Sequence, residues 1–161
     1  MSQDPTPLDM EAALQAVKAG RSLAEHMGLS DQPARLLYTA AVGYYESGQH
    51  AQAIRTLVQV TALEARLPDA WALMGNCLVR EGRFAEALEA WTLALHLKPG
   101  FAAAHQVART ALALKDPATG AIGWVAMLKH AETDAQRATC NELGAALKAL
   151  PAPGAQRPPA A

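Results

Sequence analysis

Side chains of matching size recur every 34 residues through the middle of this 161-residue chain. In the clearest copy the order is Trp71, Met74, Gly75, Leu78, Gly82, Phe84, Ala87, Trp91, Ala94 and Pro99. Moved back by one period, the same places hold Leu37, Ala40, Ala41, Tyr44, Gly48, His50, Ala53, Leu57 and Val60. Moved forward, they hold His105, Ala108, Leu112, Ala118, Ala121, Val125 and Leu128. A period of about 20–50 residues signals stacked supersecondary units, because one unit cannot bury its own apolar stripe and shares a core with its neighbours.

The order of sizes gives the unit its shape. Large residues near the start, a tiny residue at the eighth position and an alanine at the twentieth form the tetratricopeptide pattern of a helix, a short turn and a second antiparallel helix. Repeats are predicted at 34–67, 68–101 and 102–135. Ala41 and Gly75 on first helices, with Ala53 and Ala87 on second helices, are small so that the two axes can cross closely. Gly48 and Gly82 suit the left-handed residue that ends a helix. Trp71, Leu78 and Trp91 are the expected fillers between neighbouring pairs. The third copy departs from the pattern. Arg109 falls where a small residue is expected, and Asp116-Pro117, a good helix start, replaces the turn glycine. Gly120 and Gly123 each weaken a helix by roughly 1 kcal/mol relative to alanine, so this unit is expected to be looser than the second.

Residues 1–7 are polar and proline-bearing and are expected to be flexible. A helix is predicted over 8–28, with Met10, Leu14, Val17, Ala24 and Met27 as a narrow apolar stripe and Gly20 as a bend. It belongs to no repeat, so its stripe needs the first repeat or a second copy of the chain as partner. Thr133-Asp134 starts a last helix over 134–150, with Leu143, Leu147 and Leu150 on one face, placed to cover the open end of a stack. The tail 151–161 has prolines and no large apolar residue and reads as disordered. The predicted architecture is thus all-α: a tetratricopeptide solenoid of three helix pairs over 29–150, with an extra N-terminal helix and a C-terminal capping helix.

Composition excludes several classes. The formal net charge is −1, which gives no basic footprint for nucleic acid. No apolar run approaches the roughly 18 residues of a membrane span, and the first residues do not read as a signal peptide, so direct membrane insertion is not expected and the expected compartment is the cytosol. The two cysteines, Cys77 and Cys140, form no framework, and a disulfide is disfavoured in such a compartment. The five histidines pair with no Cys, His or carboxylate in a ligand motif, and phosphate-loop and nucleophile-elbow patterns are missing. No cofactor, metal or catalytic residue is assigned, and the chain is not read as an enzyme.

What remains is a surface. In a tetratricopeptide unit, positions 2, 5, 9, 12 and 13 of the first helix line the concave face. They are Arg35, Tyr38, Val42, Tyr45 and Glu46 in the first repeat and Asp69, Ala72, Asn76, Val79 and Arg80 in the second. A 34-residue step puts Ala103, Gln106, Thr110, Ala113 and Leu114 there in the third. Tyr38 and Tyr45 flank Val42 as an aromatic ridge against which an extended peptide can stack, while Asn76 and Gln106 bind its backbone. The candidate peptide-binding residues are Tyr38, Val42, Tyr45, Asn76, Val79, Arg80, Gln106 and Thr110. The competing reading packs the tyrosines against the N-terminal helix. A clamp for a C-terminal carboxylate is disfavoured, since it needs Lys and Asn where the first repeat has Tyr38 and Val42.

Across roughly residues 10–135 the chain resembles the class II chaperones of bacterial type III secretion, which serve the translocator proteins. The resemblance lies in a non-repeat N-terminal helix with Val17-Lys18-Ala19-Gly20, then Leu29-Ser30. It continues through Leu37-Tyr38, Tyr45-Glu46-Ser47-Gly48, Leu73-Met74-Gly75-Asn76-Cys77 and Gly82-Arg83-Phe84. It implies a bacterial cytosolic protein that holds hydrophobic translocators soluble before secretion, with an extended client segment of the proline-x-leucine-x-x-proline kind in the groove. By position, Tyr38, Val42 and Tyr45 would meet that segment, with Asn76, Val79 and Thr110 further along. It also implies a homodimer to which the N-terminal helix contributes, with Met10, Leu14 and Val17 as contacts. The alternative is a generic tetratricopeptide scaffold for an envelope or pilus assembly.

Overall fold

The computed structural model describes residues 32–151, all helical apart from connections. The helix expected over 8–28, with Met10, Leu14 and Val17, and the tail from 152 onward lie outside the described residues. The chain divides into two compact units, Met1–Leu67 and Pro68–Ala161.

In the first unit, helix α1 (Gln32–Glu46) packs on α2 (His50–Leu63). The small residues named above are the contact: Ala41 and Ala53 are fully buried, with Leu57 and Val60 filling the space beside them. Side chains three and four apart on α2 therefore face α1, as helical spacing dictates. The turn is closed by Gly48 at φ 76°, where an L side chain would be strained. Gly48 N–H donates to Tyr45 C=O (3.0 Å) and Gln49 N–H to Tyr44 C=O (2.8 Å), the paired bonds of a Schellman helix end.

The second unit contains α3 (Pro68–Arg80), α4 (Phe84–Leu97), α5 (Phe101–Ala113), α6 (Pro117–His130) and α7 (Asp134–Lys148). Each packs on the next, and α7 also touches α5. Leu78 and Trp91 are core residues, Trp91 being 5% exposed. Trp91 fills space within its own helix pair: a Cβ on Gly75 would lie 2.7 Å from the indole ring, so glycine makes room for tryptophan.

The same Schellman bonds recur at each first-helix end and give the true register. Gly82 N–H bonds to Val79 C=O and Arg83 N–H to Leu78 C=O; Lys115 N–H bonds to Leu112 C=O and Asp116 N–H to Ala111 C=O. Gly48 to Gly82 is 34 residues, but Gly82 to Lys115 is 33. The missing residue lies in the connection 98–100, which is one shorter than 64–67. Three expectations for the third repeat are thereby corrected. Ala108, fully buried, takes the small position, and Arg109 is exposed. Lys115, at φ 56°, replaces the turn glycine, with Asp116-Pro117 one step further on. Gly120 and Gly123 are packing positions: a Cβ on Gly123 would lie 2.6 Å from Ala108 N and 3.0 Å from Ala104 O, and one on Gly120 would meet Leu147.

Both late helices start on side-chain caps, as Asp116 and Thr133 led one to expect. The Asp116 carboxylate accepts from Ala118 N–H and Thr119 N–H, and Thr133 forms a reciprocal capping box with Gln136. Helix α7 is pinned to α6 by Trp124 Nε1–H donating to Cys140 C=O at 2.8 Å, with Lys148 Nζ 5.4 Å from the ring centroid.

The Thr119 hydroxyl and the backbone N–H groups hold the Asp116 carboxyl below its usual range. A carboxylate with a lowered folded pKa contributes stability that is full above the unfolded value of about 3.9 and is lost as pH falls through the folded value. Asp116→Ala should therefore cost about 1 kcal/mol at pH 7. Urea unfolding should show that difference shrinking as pH falls below the unfolded value of about 3.9; a pH-independent difference would mean the charge contributes nothing.

Candidate peptide-binding surface

In the first unit, Tyr38, Val42 and Tyr45 stand at spacings of four and three along α1, on one face, and all three are half-buried. The Tyr45 ring meets His50 at the start of α2, centroids 5.5 Å apart and planes tilted by 52°. His50 is thus a partly buried packing residue, though its Nδ1 has no hydrogen-bond partner.

In the second unit, two pockets open along α3 and α5. The first, of 410 Å³, has Ala72, Trp91, Ala94, Phe101 and Ala103 as apolar lining, with Asp69 and Lys98 also on its wall. Lys98 Nζ is 4.0 Å from Asp69 Oδ1 and both are exposed, so the pair is worth little. The second pocket, of 350 Å³, is lined by Val79, Phe84, Arg109, Thr110 and Ala113. Helical geometry explains the layout. Ala72 and Val79 are seven residues apart on α3, and Ala103 and Thr110 are seven apart on α5, so each helix contributes to both pockets two turns apart.

Val79 and Thr110, named from sequence, are brought together; Asn76, Arg80 and Gln106 line neither pocket. The 33-residue step alters the assignment on α5. Thr110 is 4% exposed and occupies the register of buried Cys77, so it is a packing residue that only edges the pocket. Gln106 occupies the register of Leu73. The positions matching Ala72, Asn76 and Val79 are His105, Arg109 and Leu112. Leu114 lies with α4 and α6 residues, among them Leu88 and Ile122. The turn bonds of Lys115 carry this information, but a glycine-based reading passes over them.

Burial, followed by the charge of Arg109 one turn on, holds His105 below the ordinary histidine range, so its ring is neutral at pH 7. It stacks on Phe101 at 6.1 Å with planes 4° apart. Burial pushes the Cys77 thiol up to about 11, which leaves it protonated and unreactive. Cys77 and Cys140 are both free. Among the described residues no group of three or more His, Cys, Asp or Glu could hold a metal ion, and no helix is long and apolar enough to cross a membrane.

Helix pairs of this kind, with small crossing residues, are those of the tetratricopeptide-repeat fold. The tetratricopeptide repeat family model matches residues 68–101. No curated protein matches the sequence. Among solved structures, the chain is similar to the type III secretion chaperone SycD of Yersinia enterocolitica in complex with a peptide of the translocator YopD. The identity is 17%, over 75% of this chain and 94% of that one, with a TM-score of 0.61. It is similar to PcrH, known from Pseudomonas aeruginosa, in complex with the chaperone binding region of PopD: 22% identity, 76% and 94% coverage, TM-score 0.60. It is also similar to the first tetratricopeptide domain of Spaghetti bound to the HSP90 peptide SRMEEVD: 17% identity, 74% and 96% coverage, TM-score 0.63. The chain has the all-α fold that these proteins share.

Proposed function

We propose that the chain is a bacterial cytosolic chaperone of type III secretion that binds a hydrophobic translocator through an extended segment and holds it soluble without catalytic turnover. The observation that carries the reading is the pair of apolar pockets on α3 and α5, in a fold that in SycD and PcrH holds translocator segments. The pocket spacing fits such a ligand. Two helical turns span about 10 Å, and an extended chain advances about 3.3 Å per residue. Apolar anchors three residues apart therefore reach both pockets, which is the spacing of leucine and the final proline in a leucine-x-x-proline segment. Masking such a segment removes an apolar patch that would otherwise drive association.

Tyr38, Val42 and Tyr45 of the first unit are also proposed as contacts of the segment, and Asn76 of the second unit as an amide for its backbone. Tyr38→Ala combined with Tyr45→Ala should weaken binding of a translocator segment by about 2 kcal/mol or more. Isothermal titration reads this, with circular dichroism to establish the fold; unchanged affinity would remove the two tyrosines from the site. The apolar stripe Met10, Leu14 and Val17 is proposed as a homodimer contact. Deleting residues 1–28 should then leave the repeats folded and lower the sedimentation mass, and an unaltered mass would contradict the contact.

A further inference from the structure

We infer that Arg109 reads an acidic side chain of the bound segment, held beside an apolar anchor in the pocket of Val79, Phe84 and Ala113. The inference rests on the peptide-binding reading above and adds to it the charge of the ligand. The 33-residue step places Arg109 at the register of Asn76, on the ligand-facing side of α5, and Arg109 lines the pocket itself. Phe84 is 43% exposed there, so the wall is apolar and open while the cation lies at its edge.

The local charges are unbalanced. The ion pairs among the described residues are Arg83–Glu86, Lys98–Asp69 and Arg137–Asp134; neither Arg109 nor Arg80, next to Val79, takes part in one. At the other pocket Lys98 and Asp69 offset each other. His105, one turn before Arg109, is neutral. Glu81 follows Arg80 in the turn and acts on Arg83 beside Glu86, so the positive edge of the pocket of Val79 and Phe84 is Arg109 itself, which has no ion-pair partner among the described residues; its planar guanidinium accommodates a carboxylate through two parallel N–H···O bonds. Because the segment spans both pockets, the carboxylate belongs to an internal aspartate or glutamate, one or two residues from the anchor. A lysine or arginine at that place in the segment would be repelled.

The test is selection of random dodecapeptides displayed on phage, fused through their C-termini so that no terminal carboxylate is present, against the full chain and against R109Q. Arg109 is exposed, so the variant should fold, and a thermal melt checks it. The full chain should select an acidic residue beside a large apolar anchor. R109Q should select the apolar anchor without the acid, and R109K should restore part of the preference. A synthetic peptide from the selection should lose about five-fold in affinity when its glutamate becomes glutamine, as for an exposed ion pair, and the R109Q chain should show no such loss. Apolar peptides selected without acidic preference, or an acidic preference that persists in R109Q, would overturn the inference and leave the groove reading standing. No selection by the folded chain would overturn the groove reading and this inference with it.

Discussion

Trp91→Ala is expected to destabilise the chain by about 3–5 kcal/mol, the range for deleting a large buried aromatic. The indole is 5% exposed and occupies the hollow that Gly75 leaves on α3. Truncation removes the ring that fills the Gly75 hollow and opens a cavity in the contact between α3 and α4. The loss is moderated slightly because Trp91 Nε1 is buried without a hydrogen-bond partner, so no bond is broken. A double-mutant cycle isolates the contact between Gly75 and Trp91. Gly75→Ala in the wild-type chain forces a methyl against three ring atoms at 2.7–2.9 Å and should destabilise. In the Trp91→Ala background the same change gains helix propensity of about 1 kcal/mol and fills part of the cavity, so its sign should reverse. Urea unfolding of the four chains measures this; additive effects would show that the two residues do not pack as described.

Gly123→Leu should be as damaging, about 4 kcal/mol or more, for a different reason. At Gly123 the obstacle is backbone: a Cβ would fall 2.6 Å from Ala108 N and 3.0 Å from Ala104 O, and neither can rotate away. Any side chain there pushes α5 and α6 apart. Gly120→Ala is the matched control, one turn earlier on α6. Its new Cβ meets the end of the flexible Leu147 side chain, which can turn, and the alanine gains about 1 kcal/mol in helix propensity. The control should lie within about 1 kcal/mol of wild type. Equal effects of the two substitutions would mean that α5 and α6 are not in close contact at Gly123.

These residues also show what could be read from sequence. Gly75, Ala41 and Ala53 as small buried residues, and Gly48 and Gly82 at positive φ, are legible in the pattern, because size and backbone freedom are properties of single residues. The same holds for Asp116 and Thr133 as caps. Trp91, expected between neighbouring pairs, instead fills the Gly75 hollow within its own pair. The third repeat slipped by one place. Its first helix, Phe101–Ala113, is so rich in alanine that little size contrast fixes the register. Its turn uses Lys115 in a left-handed conformation, a role that sequence reading gives to glycine. That single slip moved the surface from His105 and Arg109 to Gln106 and Thr110, and it hid the cation at the pocket edge. Gly120 and Gly123 were read by intrinsic propensity, where close packing decides.

Helix pairs cross closely on small residues and leave apolar hollows along α3 and α5. Translocator binding is tested most directly by co-expressing the chain with the apolar, helix-rich proteins encoded beside its gene and purifying the tagged chain. A partner insoluble by itself should be recovered as a soluble complex, and Tyr38→Ala with Tyr45→Ala should lose it. A well-folded chain that leaves every such partner in the insoluble fraction would show that it is not their chaperone.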